Sequence, residues 1–243
     1  MTRFVWSRDW RKFFGDEPYP FDLAQVEKRD GAQGPMHLVT AVLGPRMPQR
    51  VLDLGCGYGR HMAALAAVGH HVYGTDCSSR AVARASARHP QAIAVVADNG
   101  ALPFREAVFD AAVSLYTSIG YTGACPRTVF AQAGRVVRPG GHLIVDVADG
   151  SRRRIGVGCE RVPGGMGFWL RYGTRRQVRQ RNLAVSRQAI GLYGFEYRRY
   201  TPSSLAADIE HGDVWTVVTM QSGFDAQPTT GHSRRIVVVA CRK

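Results

Sequence analysis

An apolar run, Val51-Leu-Asp-Leu54, leads straight into three alternating glycines, Gly55, Gly57 and Gly59, with Cys56 and Tyr58 between them. Twenty-one residues past Gly55, Asp76 ends a second apolar run, His71-Val-Tyr-Gly-Thr-Asp76. A strand, a glycine turn, a helix and a second strand closing on an acid make half of a nucleotide-binding βαβ unit. The glycines let backbone approach a ligand and take φ values that other residues resist. The acid at the strand tip is placed to accept two hydrogen bonds from a ribose diol. Spacing then narrows the nucleoside. A dinucleotide fingerprint G-x-G-x-x-G needs glycine at position 60, where this chain has Arg60. Its third glycine is Gly59, giving G-x-G-x-G.

From 50 to 147, strand-like and helix-like stretches alternate. Strands are predicted at 50–54, 71–75, 92–97, 109–115 and 141–147, and helices beginning near Arg60, Ser78 and Thr128, with Ser78 as an N-cap. Such alternation predicts an α/β fold: a doubly wound, Rossmann-like, mostly parallel sheet of seven strands covered by helices. The first and fourth of these strands should flank the topological switch point, with the ligand crevice at their carboxyl ends. A short helix after Pro202 and two β-branched runs, 214–219 and 235–240, predict an antiparallel hairpin at the sheet edge. Ahead of the first strand, residues 1–48 carry an aromatic cluster (Phe4, Trp6, Trp10, Phe13, Phe14, Tyr19, Phe21) and a helix expected over 22–43.

A chain of 243 residues is large enough for one well-buried core, so a single domain is expected over 1–243. Its divisions are 1–48, 49–150, an insertion at 151–200 and a closing segment at 201–243. No apolar run approaches the ~20 residues of a membrane span, and the first residues lack the apolar stretch of a signal peptide. The five cysteines (56, 77, 125, 159, 241) form no CxxC pair and are odd in number. A reduced, cytoplasmic protein without a metal site is the expectation.

These motifs resemble those of the class I S-adenosylmethionine-dependent methyltransferases. Asp53-Leu-Gly-Cys-Gly-Tyr-Gly59 is similar to their first motif, and Asp76 to their ribose-binding acid. Ala97-Asp98-Asn-Gly-Ala-Leu-Pro-Phe104 resembles the loop whose Asp grips the adenine amino group. Phe109–Leu115 resembles their fourth strand, and Arg138–Val145 the turn into the fifth. The resemblance implies S-adenosyl-L-methionine as cofactor and S-adenosyl-L-homocysteine as product. It implies a cofactor site of Asp53, Gly55, Cys56, Gly57, Gly59, Asp76, Cys77, Asp98, Asn99 and Leu115. It also implies that the leading segment, Tyr19 included, covers the site as a helical lid.

Transfer from a sulfonium is an in-line displacement that needs alignment, plus a base when the acceptor carries a proton. Acceptor-side residues should follow the fourth strand, which makes Tyr116 and Tyr121 candidates for the methyl channel. His61, beside the glycine turn, is the histidine nearest the expected crevice and the candidate base. Each of these three also has an ordinary packing or surface role open to it.

The insertion sets this chain apart. Residues 151–200 hold 12 Arg, no Lys and only Glu160 and Glu196 as acids, while the rest of the chain has 20 basic and 17 acidic residues. Two strand-like runs, 166–179 and 183–200, interleave these arginines with Trp169, Tyr172, Tyr193, Phe195, Tyr197 and Tyr200. The segment is read as antiparallel β structure that extends the sheet or folds over the site. Alternation places Arg171, Arg175 and Arg179 on the side of Trp169, with Arg176 opposite. Clustered Arg suits phosphate and carboxylate, so Trp169, Arg171 and Tyr200 join Tyr19 as candidate acceptor contacts. A compositional origin is also open, since the chain has 29 Arg against 3 Lys.

The favoured function is methylation of a small, anionic metabolite, in specialised metabolism. The alternative is an RNA methyltransferase that binds RNA through the Arg-rich segment. The sequence leaves open the atom methylated and the oligomeric state.

Overall fold

The computed structural model describes residues 3–7, 33–45, 48–121, 125–150, 155–162, 165–174, 177–186, 189–224 and 235–243. The chain divides into two compact units, one of residues 1–31 and 152–199, the other of 32–151 and 200–243. Strand β1 (Arg3–Ser7) belongs to the smaller unit.

In the larger unit, β2 (Arg50–Leu54), β3 (His71–Asp76), β4 (Ile93–Val96), β5 (Phe109–Ser114) and β6 (Val137–Ala148) run parallel. At the other end, β11 (Trp215–Ser222) pairs antiparallel with β12 (Arg235–Arg242), which pairs antiparallel with β6. The order is β11-β12-β6-β5-β2-β3-β4, so β2 and β5 lie side by side at the switch point. The five parallel strands begin within four residues of their predicted starts.

Alternation along these strands feeds two separate cores. Leu52, Leu54, Ala112, Leu143, Val145 and Val238 face one side, where α4 (Pro126–Val136) and α5 (Pro202–Ile209) supply Phe130, Ala133, Leu205 and Ile209. Val51, Ala111, Val113 and Ile144 face the other, where α1 (Gln33–Leu43) and α2 (Arg60–Ala67) supply Val39, Met62 and Leu65. Each fully buried aliphatic side chain contributes roughly 1.5–3 kcal/mol relative to exposure. That is the doubly wound arrangement: a parallel sheet apolar on both faces because helices cover both.

Local chemistry fixes the helix starts. Ser78 caps α3 (Ser79–Arg88) by accepting from the Ala81 N–H at 3.2 Å. Thr201 and Ser204 form a reciprocal capping box at the head of α5, with Pro202 in its first turn. Pro126 starts α4 two residues before the predicted Thr128, since proline is suited to the first helical position. The leading helix is described over Gln33–Leu43 with Pro35 in its first turn. Trp10, Phe13, Phe14, Tyr19 and Phe21 lie outside the described residues.

The insertion does not extend this sheet. Strands β7 (Gly156–Val162), β8 (Gly165–Gly173), β9 (Gln177–Ser186) and β10 (Ala189–Arg198) build a sheet of their own, ordered β1-β10-β9-β8-β7. All its pairs are antiparallel except β1 with β10. Residues 3–7, expected within a helical leading segment, are therefore a strand. A register with residues 189–193 is a long-range choice that local composition does not carry.

The expected run 166–179 is broken by a turn, where the Thr174 N–H donates to the Gln177 carbonyl at 2.9 Å. This corrects the parity. Arg179 pairs with Tyr172 in register and shares its face, opposite Trp169 and Arg171, because the turn resets the alternation. Arg175 and Arg176 lie outside the described residues.

Candidate functional site

At the carboxyl ends of β2 and β5, the backbone turns sharply through the glycines. Gly55 (φ +76°) donates its N–H to the Thr75 carbonyl at 2.8 Å, and the Cys56 N–H donates to the same oxygen at 2.9 Å. A Cβ on Gly55 would stand 2.8 Å from the Ser118 Cβ, so position 55 needs glycine for both its conformation and its space. Ser118 donates its hydroxyl to the Leu115 carbonyl at 2.8 Å and the Gly55 carbonyl at 3.3 Å. It thus ties the glycine turn to the loop after β5. Gly59 (φ +81°) then opens α2 against Ala85, where a Cβ would approach 3.1 Å.

Asp76 ends β3 beside this turn. Its Oδ2 accepts from the Gly57 N–H at 3.0 Å and its Oδ1 from the Ser78 N–H at 2.9 Å. A carboxylate has about four lone-pair sites, and besides these two N–H groups the Cys77 thiol also donates to Asp76, which leaves acceptor capacity for a ribose hydroxyl. Burial holds its carboxyl above the usual range, partly offset by the Ser78 and Gly57 N–H groups. Asn99 is oriented by Thr75, whose hydroxyl donates to its Oδ1 at 2.7 Å. Asp98 is exposed in the loop after β4, its Oδ1 accepting from the Gly100 N–H at 2.8 Å. Cys56 and Leu115 are buried, and Cys77 is half-buried next to Asp76.

Asp53 is buried on β2, and its Oδ2 has no hydrogen-bond partner among the described residues. Burial first, and the nearby Asp76 carboxylate second, push its pKa up to about 7, with the Arg60 guanidinium opposing. An unpaired buried carboxylate oxygen is costly unless a cationic ligand meets it. The glycine cradle, the remaining acceptor capacity of Asp76 and this oxygen fit a ligand with a ribose and a positive charge.

On the β5 side, Tyr116 and Thr117 both take left-handed backbone, at φ 57° and 69°. The half-buried Tyr116 ring stacks on His61 with centroids 5.3 Å apart, and the Cζ atoms of Arg60 and Arg235 lie 4.0 and 4.9 Å from its centre. His61 is itself buried, with Nε2 unpartnered among the described residues. Burial, and then the charges of Arg60 and Arg235, push its pKa down to about 3. The imidazole is therefore neutral near pH 7 and too weak a base to take a proton from an amine or alcohol. This revises its candidacy as base. Tyr121 is half-buried at the end of the short 3-10 turn Ser118–Tyr121.

Two acceptor candidates also change. Tyr200 is fully buried in the core cluster beside Leu205 and Ile209, a packing position. Tyr19 lies outside the described residues. Trp169 and Arg171 do share a face of the five-stranded sheet, with the Arg171 Cζ 4.4 Å over the Trp169 ring. Arg171 donates from Nε to Gln180 Oε1 at 2.7 Å, and Gln180 Nε2 donates to Asn182 Oδ1 at 2.8 Å. Gln180 and Asn182 are buried, and Asn182 Nδ2 has no partner among the described residues. Ser118, Asp146, Gln180, Asn182 and Arg235 escaped the sequence reading, since each matters through a partner distant in the chain. Arg60 had a signal in its place directly after Gly59. No group of three or more His, Cys, Asp or Glu among the described residues is arranged to hold a metal.

Residues 51–141 match the family described as "Methyltransferase domain". They form a class I S-adenosylmethionine-dependent methyltransferase domain. A demethylmenaquinone methyltransferase of Beutenbergia cavernae is 38% identical over 104 residues, covering 42% of either chain. The chain thus spans less than half the length of this curated relative. The CcbJ methyltransferase of Streptomyces caelestis superposes with a TM-score of 0.76 at 19% identity, over 96% of this chain and 98% of that one. CalS10, an amino pentose methyltransferase from Micromonospora echinaspora solved with S-adenosylmethionine bound, superposes at 0.65 and 21% identity, over 92% and 98%. At these identities the two structures show a shared fold. The cofactor of the domain is S-adenosylmethionine, whose ribose and positive charge match the requirements of Asp76 and Asp53. No helix among the described residues is long and apolar enough to cross a membrane.

Proposed function

We propose that this chain transfers a methyl group from S-adenosylmethionine to a small metabolite bearing a carboxylate or phosphate. The observation that carries the donor half is the paired acids at one glycine turn: Asp76 with acceptor capacity left for the ribose, Asp53 with an unpaired buried oxygen for a cation. Asp98 and Asn99 are assigned to the adenine edge, and Cys77 and Leu115 to its apolar surroundings. When bound, the sulfonium supplies an activated methyl; its S–C bond breaks as the acceptor's bond to that carbon forms, and the electron pair stays on sulfur. The protein's part is alignment, which is worth several kcal/mol when the reacting atoms are held in line. Tyr116 is assigned to the acceptor side, with its ring orientation set by His61 and Arg60.

For the acceptor, the reading rests on Arg171 with Gln180 and Asn182. A guanidinium already oriented by Trp169 and Gln180 is prepared to meet an anion bidentately, and the unpartnered Asn182 Nδ2 is a further donor. The role of CalS10 in calicheamicin biosynthesis makes specialised metabolism a natural setting. RNA stays the alternative acceptor: the exposed face of the same sheet presents Phe168 along with Met166, Leu170, Leu183 and Val185, and an aromatic ring can stack a base.

The test uses donor labelled in its methyl group, incubated with small carboxylates, sugar phosphates and amino sugars, and with total RNA. Label in an anionic small molecule supports the reading. Label in RNA alone at physiological salt, or donor that binds and is transferred only to uncharged acceptors, overturns the anionic assignment.

A further inference from the structure

Tyr116 and Thr117 are consecutive non-glycine residues in left-handed backbone, a conformation that costs about 1–2 kcal/mol per residue. Something must hold them. The Tyr116 N–H donates to Asp146 Oδ2 at 2.9 Å, and the Thr117 N–H to the Asp146 carbonyl at 2.9 Å. Asp146 lies on β6 with its side chain fully buried, so it too needs a cationic partner. That partner is Arg235, 89 residues later at the start of β12. Arg235 donates from Nε to Oδ1 and from Nη2 to Oδ2, each at 2.5 Å. The same Nη2 lies 3.3 Å from the Thr117 hydroxyl, and the guanidinium leans on the Tyr116 ring. Thr117 Oγ1 in turn accepts from the Ala148 N–H at 3.1 Å.

We infer that Arg235 is a positioning residue for the methyl-transfer site. By clamping Asp146 it imposes the strained Tyr116–Thr117 turn, and so sets where Tyr116 stands at the end of β5. A single cation thereby serves three adjacent strands, β5, β6 and β12. The amino end of the same sheet provides a contrast. There Arg138 pairs with Asp110 at 2.7 Å, and Asp110 accepts from the Arg50 N–H at 2.7 Å, with no strained residue attached. Lysine at 235 would keep the charge and lose the fork that reaches both carboxylate oxygens and Thr117 together.

The inference takes Tyr116 to be an acceptor-side residue, but its first readout needs no acceptor. In Arg235→Lys, amide exchange over 115–121 should quicken about tenfold or more, while α4 and β2 keep their protection. Arg138→Lys should leave 115–121 unchanged. Thr117→Gly placed in the Arg235→Lys background should restore part of the protection, because glycine takes left-handed φ without strain. Should Arg235→Lys fold poorly, Asp146→Asn is read in the same way. With an acceptor identified by the labelled-donor panel, Arg235→Lys should lower kcat about 10–100-fold with the KM for S-adenosylmethionine little changed. Unaltered exchange at 116–117, or exchange quickened equally throughout the chain, overturns the positioning role whatever the acceptor proves to be. Altered exchange with kcat unchanged confines the clamp to folding and overturns it equally.

Discussion

In the seven-stranded sheet, Val51 and Leu52 point to opposite faces and both are fully buried, whereas Phe168 in the five-stranded sheet is 47% exposed. On the other face of that second sheet, Gln180 and Asn182 are only 5% and 2% exposed. The first sheet hides carbon on both sides, as burial of apolar area dictates. The second hides Gln180 and Asn182 among Val178, Tyr193 and Phe195 on one face, and on the other leaves Met166, Phe168, Leu170, Leu183 and Val185 in contact with solvent. Hiding polar groups is unfavourable unless each is hydrogen-bonded. Both sheets therefore bury apolar area, but the first does so on two faces and the second on one, where it also keeps two amides that stability alone would not put there.

The widest gap should appear in stability. Leu52→Ala should lower unfolding free energy by about 3–5 kcal/mol through lost transfer energy and a cavity, and Phe168→Ala by well under about 1 kcal/mol. Urea denaturation of both variants checks this, and equal losses would erase the distinction between the sheets.

Next comes the donor. Asp76→Ala should weaken S-adenosylhomocysteine binding by about 1.5–3 kcal/mol, the scale of charge-assisted hydrogen bonds. Arg171→Ala should leave that affinity intact and raise the acceptor KM. Calorimetry separates the two, and a loss of donor affinity in both variants would break the division of labour.

The pH dependence of donor affinity sharpens it further. Asp53, at about 7 instead of its ordinary 3.8, is largely protonated in the free protein at pH 6. A bound cation favours the ionised form and lowers this pKa, so binding releases a proton and weakens as pH falls. Affinity should drop about tenfold from pH 8 to pH 6, following the pKa near 7. Asp53→Asn should flatten the profile; a wild-type profile already flat would exclude Asp53 as the group that meets the cation.

The smallest effect belongs to Arg179, whose pair with Glu196 at 2.8 Å is exposed on both sides. Arg179→Ala should shift stability by no more than about 0.5 kcal/mol, as exposed ion pairs do. It should leave the acceptor KM unchanged, in contrast to Arg171 on the opposite face. An equal effect of the two on acceptor KM would mean that face does not decide function.

The cofactor half was readable because its signals are local. Gly55 and Gly59 mark a turn only glycine fits, Ser78 marks a helix start, and the run 51–54 is apolar except for Asp53 because its strand is covered on both sides. The second sheet was read less well for the same reason. The run 166–179 looks like one strand because its one break, Gly173, is a weak signal in a glycine-rich stretch; a Cβ there would collide with the Gln177 carbonyl, and this is the turn that sends Arg179 to the other face. Tyr200 reads as one more aromatic among arginines, yet it packs in the core at the head of α5.

Periodicity and turn chemistry act over a few residues, so the parallel strands, the switch point and the acid at the tip of β3 follow from the sequence alone. Pairings between distant segments depend instead on which ends meet after the chain has closed large loops. β1 against β10, Arg235 on Asp146, and the choice of which sheet face to bury were therefore decided only in the tertiary structure. There a strained turn or a buried carboxylate is tolerated only because a residue from far along the chain arrives to hold it.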